Sequence, residues 1–486
     1  MMFKRYLFLI SLAVYFALLL IVGAATFSTP AAQEAAAQDA PAPPSTPAPV
    51  TRYEFSMWRD YEIPAAVRNG LTRPHVAFIN TNDSDTTSLA TAEPTSDLTV
   101  LYYVDPNNAN NLYPIIEFSL GTLERVFVSP LGNTVAYLLN DRAGSDERGL
   151  WLVDVGSGFG ARVINESSLN VRGLSQSPTW SPDGRRMAMV WETGYSADIF
   201  EFNLDRSVWG GLVINDSNNF WPAWSPDGRW LAFVSDRVTC PSWVPGDADA
   251  CDHNEQPALT GGHVYVLNME TGATRRISQE ETFEPPYWLD DSTLAFTAGD
   301  SFDIFDPSRT LWLGDMNTMQ AEPVRLNDSD ATLYLAERWT PDGAKVAAQV
   351  VDEATNTTEI VIFGRDGGRI NTVTAVSFSR YAMDADWSAA GDRLALGGTS
   401  GQCPSSLRVL NENYAVISNF NRPTNVCAPR FAPDDSRIAF TGISQDRSAV
   451  DGRRDIYVGS RDGLSAVNLT LNLRGQMSLI GWVGPS

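Results

Sequence analysis

Histidine is almost missing from this 486-residue chain, which carries only His75, His253 and His263. That scarcity speaks against a His-ligated metal centre, and a Ser-His-Asp triad would have to recruit one of these scattered rings. No G-x-S-x-G nucleophile elbow occurs, so the hydrolase layout that presents a serine on a strand-to-helix turn is not expected. Cysteine is confined to Cys240, Cys251, Cys403 and Cys427, without C-x-x-C spacing, which disfavours a thiolate metal site. Positive charge is short as well: 35 Lys+Arg face 58 Asp+Glu, a net charge of −23. Such a surface repels phosphate backbones and anionic headgroups, so neither nucleic acid nor a lipid surface is an expected partner. The acidity itself reads first as a device for solubility. Past residue 50, no stretch shows helical periodicity.

The first 28 residues differ in kind. MMFKRYLFLISLAVYFALLLIVGAATFS places Lys4 and Arg5 before an uncharged run, the layout of an export signal. The run is also long enough, at roughly 20 residues, to cross a bilayer uncut. Basic residues ahead of it put the N-terminus inside and the body outside. Gly23, Ala24 and Ala25 permit cleavage, and no Cys follows to carry a lipid. Signal peptide and retained anchor stay open, and both place the body outside the cytoplasm, periplasmic or at the cell surface. Residues 29–50, TPAAQEAAAQDAPAPPSTPAPV, have too little apolar surface to offset ordering entropy and read as a disordered tether. In a polyproline-like state it would hold the body about 60 Å off a membrane, at ~3.1 Å per residue. Four cysteines in an exported chain imply two disulfides with three connectivities. Proximity favours Cys240–Cys251 and Cys403–Cys427.

The body, residues 51–486, is repetitive. WSPDGRRMAMV begins at Trp180, WSPDGRWLAFV at Trp224, WLDDSTLAFT at Trp288, WTPDGAKVAAQ at Trp339 and WSAAGDRLALG at Trp387. FAPDDSRIAFT begins at Phe431, and a weaker copy, VSPLGNTVAYL, at Val128. Starts 44 to 64 residues apart, built of strands, indicate propeller blades. In each unit Pro presets the turn, Asp tolerates the next position and Gly takes the left-handed one, turning a hairpin. The following strand alternates large and small apolar groups, as burial on both faces demands. A third strand follows, such as DIFEFNL, HVYVLNM, SLRVLNE or DIYVGSR, and a fourth ends near GLVIN, RRISQ, PVRLN or AVNLT. The ends supply one unit more. HVAFINT (75–81), LTVLYYV and LYPIIEF lack a leading Trp strand, and SLIGWVGPS (478–486) is a leading strand with nothing after it. The expected fold is all-β: a single propeller of four-stranded antiparallel blades, closed by N- and C-terminal strands sharing one blade. Eight blades are expected, with seven or six as the alternatives. The body is expected to be monomeric.

The unit W-S-P-D-G-x-x-[LI]-A-F followed by [DH]-[IV]-Y-V resembles the WD40-like (PD40) repeats of TolB-type propellers over most of residues 70–486. That resemblance implies a periplasmic protein that binds envelope proteins through its propeller. The family's α/β domain is replaced here by the Ala/Pro tether, and eight units stand where the family has six, so its partners are not carried over. The same repeat gates prolyl-oligopeptidase-type peptidases, but no hydrolase domain is expected after the last blade.

WSPDG therefore reads as architecture, and function is sought on loops. Connections entering the first strands carry Trp221, Glu284, Tyr287, Glu337, Arg338, Asp384, Asp386 and Arg430. Mixed charges beside aromatic anchors suit recognition of a protein or peptide. The alternative is that these charges only satisfy one another between blades. The longest spacing marks an insertion at 236–262, and long insertions often carry function. Its PGDADACDHNE segment sets Asp247, Asp249 and Asp252 close together, donors that would suit calcium, although a solvated loop explains them more simply. The leading expectation is a non-catalytic scaffold without cofactor that binds an envelope protein or peptide. The competing one is a lyase or hydrolase acting on polysaccharide or peptide through channel carboxylates and a divalent cation.

Overall fold

The computed structural model describes residues 65–82, 98–158, 160–164, 178–192, 194–252, 261–299, 310–324, 334–352, 357–374, 383–399, 406–418, 425–443 and 453–485, with Cys403 and Pro423. The expected signal, anchor and tether lie outside these residues, as does His253. Among the described residues, no helix is long and apolar enough to cross a membrane, and α-helix is confined to Ala65–Arg68.

The strands form antiparallel sheets, five of them four-stranded and one five-stranded. The second unit shows the plan: Leu123–Val128, Thr134–Leu139, Gly149–Asp154 and Gly160–Ile164 pair in chain order. Its second strand is buried at every position, and so are Thr293–Gly299 and Leu394–Gly398. Burial on both faces explains the run of large and small apolar residues after each turn. The last two units share one seven-stranded sheet, joined by a single parallel pair between Gly398 and Cys427.

Closure follows the expected register. Gln476–Val483 pairs antiparallel with His75–Asn82, setting Trp482 opposite Val76 and Gln476 opposite Thr81. The end of the chain thus supplies the first strand of the N-terminal sheet, completed by Leu98–Asp105 and Asn108–Ser119. This removes the open edge that a linear array would expose.

The turns are more tightly built than their composition requires. Ser181 Oγ donates to Asp183 Oδ1 and accepts the Arg186 amide, while Asp183 also accepts the Arg185 amide. Ser225 with Asp227 and Thr340 with Asp342 repeat this arrangement; in the next unit Ala390 stands at the Asp position, and the Ser388 hydroxyl donates instead to Asp392 beyond the Gly. Asp is therefore a hydrogen-bond acceptor that locks the turn, beyond merely tolerating its conformation. Gly184 sits at φ +66°, and a Cβ there would stand 3.5 Å from the Ser129 Cβ of the preceding unit. The position needs glycine for its backbone and lets adjacent turns nest.

Several outer strands are shorter than the sequence suggests. RRISQ, AVNLT and SLRVLNE reduce to Thr274–Arg276, Val467–Asn468 and Arg408–Leu410. In each unit a hydroxyl takes over from the ladder. Ser278 Oγ accepts the Val264 amide, Ser418 Oγ the Val409 amide and Thr470 Oγ1 the Ile456 amide. The third strand's donors are satisfied without a full fourth strand.

Candidate functional site

The leading Trp of a unit is a clamp as well as a wedge. Trp180 Nε1 donates to the Phe127 carbonyl of the unit before it, Trp288 to Ala223, Trp387 to Arg338 and Trp482 to Arg430, at 2.9–3.3 Å. In each case the acceptor is the residue just ahead of the preceding unit's own Trp position. Trp482 obeys the same rule, so the final strand docks as any other first strand does. Trp224 departs from it: its indole N–H is buried without a partner, and Arg186 stacks on its ring at 4.5 Å.

The acceptor position itself defines the character of the innermost strands. It is Phe127, Thr179, Ala223 and Gly481 in one run of units and Tyr287, Arg338, Asp386 and Arg430 in the other. Charge is concentrated in the fifth to eighth units. Arg430 forms a two-pronged pair with Asp384 at 2.9 and 3.1 Å. Asp386 Oδ2 accepts the Phe431 amide at 2.7 Å. Both contacts join the seventh and eighth units. Burial pushes the Asp386 carboxyl up to about 6, against the Phe431 amide and Arg430, which favour its charge.

Between the fifth and sixth units lies a second group. Glu337 is buried and accepts the hydroxyl of Thr297. Burial, and then the neighbouring Glu284 carboxylate, raise its carboxyl to about 7. The Tyr287 ring is partly exposed while its hydroxyl is buried without a hydrogen bond of normal geometry. Desolvation, followed by the charge of Glu337, pushes that phenol well above its usual value. Glu284 is held in place through Thr282, whose hydroxyl donates to the Thr297 carbonyl and accepts the Glu284 amide. Arg338 bridges the two groups. It lies 3.7 Å from Asp384 and keeps 45% of its side chain in solvent.

Seven of the eight expected residues thus form one chain of contacts and charge interactions, from Glu284 through Arg338 to Arg430. Trp221 stands in the fourth unit instead, packed against that unit's core and edge-on to Phe220 at 4.9 Å. It sits at a bulge, with φ +53°, an uncommon conformation for a bulky residue. The structure also draws in Thr282 and Thr297, which the sequence reading missed because neither adjoins a Trp-turn.

The insertion is a folded element. Cys240–Cys251 and Cys403–Cys427 are both disulfide-bonded, as proximity suggested. Trp243 is fully buried and donates its indole N–H to Asp236 at 2.8 Å. Asp236 also accepts both the amide and the side-chain N–H of Asn218. Burial still raises its carboxyl to about 6. The three aspartates of the insertion do not come together as expected for calcium. Asp247 instead accepts the Ser242 hydroxyl at 2.8 Å and closes the loop. Among the described residues, no group of three or more His, Cys, Asp or Glu is arranged to hold a metal ion. Of the histidines, His75 is bonded through Nδ1 to the Arg73 carbonyl, and His263 has a buried Nδ1 without a partner.

Residues 126–243 match the family described as the TolB beta propeller domain, PD40. The repeat is of the PD40 type. Against solved structures, the chain is similar to a eukaryotic initiation factor at 12% identity and a TM-score of 0.50, covering 85% of this chain and 99% of that one. It is similar to an oligogalacturonate lyase in complex with manganese at 15% identity and a TM-score of 0.45, covering 76% and 95%. With TolB from Acinetobacter baumannii it shares 12% identity and a TM-score of 0.35, covering 82% and 81%. No curated sequence matches it significantly. At such identities the likeness concerns fold alone.

Proposed function

We propose that this protein is an extracytoplasmic, non-catalytic scaffold that binds a protein or peptide partner over the mouth formed by its fifth to eighth units. The observation that carries the reading is Arg338. Its neighbours Asp384 and Arg430 hold each other in place, while Arg338 keeps half of its guanidinium stem in water beside Tyr287. A cation held on a rigid strand, flanked by fixed counter-charges and an aromatic ring, is suited to reading a carboxylate or carbonyl of a polypeptide. The two disulfides suit an oxidising compartment, and the Lys4–Arg5 start with the Ala/Pro tether suits a body displayed outside the cytoplasm.

The test is affinity capture from envelope extract with residues 51–486 as bait. Saturable capture of a defined protein, lost on Arg338→Glu with unchanged thermal stability, is the expected result. Capture that ignores Arg338→Glu refutes the reading.

One observation favours the enzymatic alternative, a lyase or hydrolase: the paired Glu284 and Glu337 carboxyls, one of which is raised to about 7, where general acids operate. Loss of thermal stability on chelation, together with turnover of a polysaccharide or peptide that Glu337→Gln abolishes, would establish it.

A further inference from the structure

We propose that the disulfide-bounded insertion of the fourth unit and the two loops beside it form a docking surface for a cationic polypeptide segment with apolar side chains. The assignment is independent of the Arg338 mouth, which lies on other units.

Three chain segments from the neighbouring third and fourth sheets meet here. Glu192 pairs with Ala197 across one loop, and Asn219 pairs with Ser235 where the 214–218 connection and the insertion meet. They are tied together. Ser196 Oγ donates to the Asn215 carbonyl and the Ala197 amide to Asn218 Oδ1. Ser217 Oγ donates to the Pro241 carbonyl, and the Trp243 amide to the Asp216 carbonyl. The buried Trp243 and the Cys240–Cys251 bridge fix the insertion from within.

This frame presents Tyr195, Ile214 and Val238 at 54%, 40% and 47% exposure. Large apolar side chains exposed on loops that are pinned to one another suit an interaction surface. The charge around them has one sign. Glu192, Asp216, Asp247 and Asp249 are exposed, and no Lys or Arg occurs from 238 to 252. The nearby Arg237 is turned inward, donating to Asn219 Oδ1 and stacked on Tyr265 at 4.3 Å. A second copy of the chain, with net charge −23, is repelled from this patch, as are nucleic acids. Lysines or arginines spaced among Leu, Trp or Phe meet both of its features, carboxylates at the rim and apolar groups at the centre.

The test uses the full chain and a fluorescein-labelled peptide repeating Lys-Leu-Trp-Lys, with a peptide repeating Glu-Leu-Trp-Glu as control. Fluorescence anisotropy is expected to show saturable, salt-weakened binding of the first and none of the second. Ile214→Ser with Val238→Ser, and separately Asp216→Lys, are each expected to weaken binding about tenfold or more, at unchanged melting temperature. Arg338→Glu is expected to leave it intact. The chain has lysine only at positions 4 and 345. Carbodiimide coupling should therefore join lysines of the probe to Asp216, Asp247 or Asp249, as mapped by mass spectrometry. Equal binding of both peptides, wild-type affinity in the patch variants, loss on Arg338→Glu, displacement by calcium or cross-links mapped elsewhere would each overturn the assignment.

Discussion

Glu337 offers a stability test whose sign follows from its burial. In the folded chain this carboxyl keeps its proton up to about pH 7, whereas an exposed glutamate releases it near 4.5. Between those values the native state binds more protons than the unfolded one, so stability must fall as pH rises. The contribution is fully present below the unfolded value and gone above the folded one. A difference of that size corresponds to about 3 kcal/mol, at ~1.4 kcal/mol per unit. At roughly 2.1 cal/mol/K per residue over the roughly 330 described residues, this is about 4 °C in melting temperature. Asp386 and Asp236 push in the same direction, so the wild-type profile alone does not isolate Glu337. The readout is the difference between wild type and Glu337→Gln across pH 5 to 8, by calorimetry or urea titration. The variant keeps the shape and an acceptor for Thr297 but cannot ionise, so its lead over wild type should grow with pH. A difference flat across this range, or shrinking as pH rises, refutes the burial argument.

Other contacts make separate predictions. Asp384→Ala should destabilise by about 1–2 kcal/mol and Arg430→Ala by less, with a double mutant well short of additive, because the two side chains hold each other; denaturant midpoints check this. Cys403→Ser with Cys427→Ser should cost about 3 kcal/mol by the loop-entropy estimate, with hydrogen exchange quickening first at the Gly398–Cys427 pair. Asp236→Asn should loosen Trp243 and open the insertion to proteolysis near Pro245, with fragments released only after reduction of Cys240–Cys251. Trp482→Phe removes the bond to the Arg430 carbonyl and should cost about 1 kcal/mol, raising exchange along His75–Asn82.

The sequence announces most of this fold because the turn and the strand after it are stereotyped. Ser181, Ser225 and Thr340 stand in nearly identical words and make nearly identical hydrogen bonds. The phase of the repeat even places Trp482 opposite the first sheet. Outer strands are harder to read, since one hydroxyl such as Ser418 or Thr470 can substitute for a strand, and no composition signal separates the two solutions. The site was legible where charges precede a Trp, as at Arg338 and Asp386. Thr297 escaped notice because it lies within an ordinary buried strand. Asp247, Asp249 and Asp252 misled because closeness along the chain says nothing about convergence of side chains. Trp221 misled for a related reason: its bulge turns it toward its own unit's core.

The pairing of Gln476–Val483 with His75–Asn82 has a consequence for how the protein comes into being. Synthesis delivers the N-terminal hairpins hundreds of residues before the segment that must flank them. Until then their hydrogen-bonding groups face outward, available to any passing extended chain. Such a long-range closing step slows maturation and leaves that edge exposed until it is complete. The Gln476–Val483 strand therefore acts as a quality check, since a product truncated ahead of it carries its own handle for aggregation or disposal.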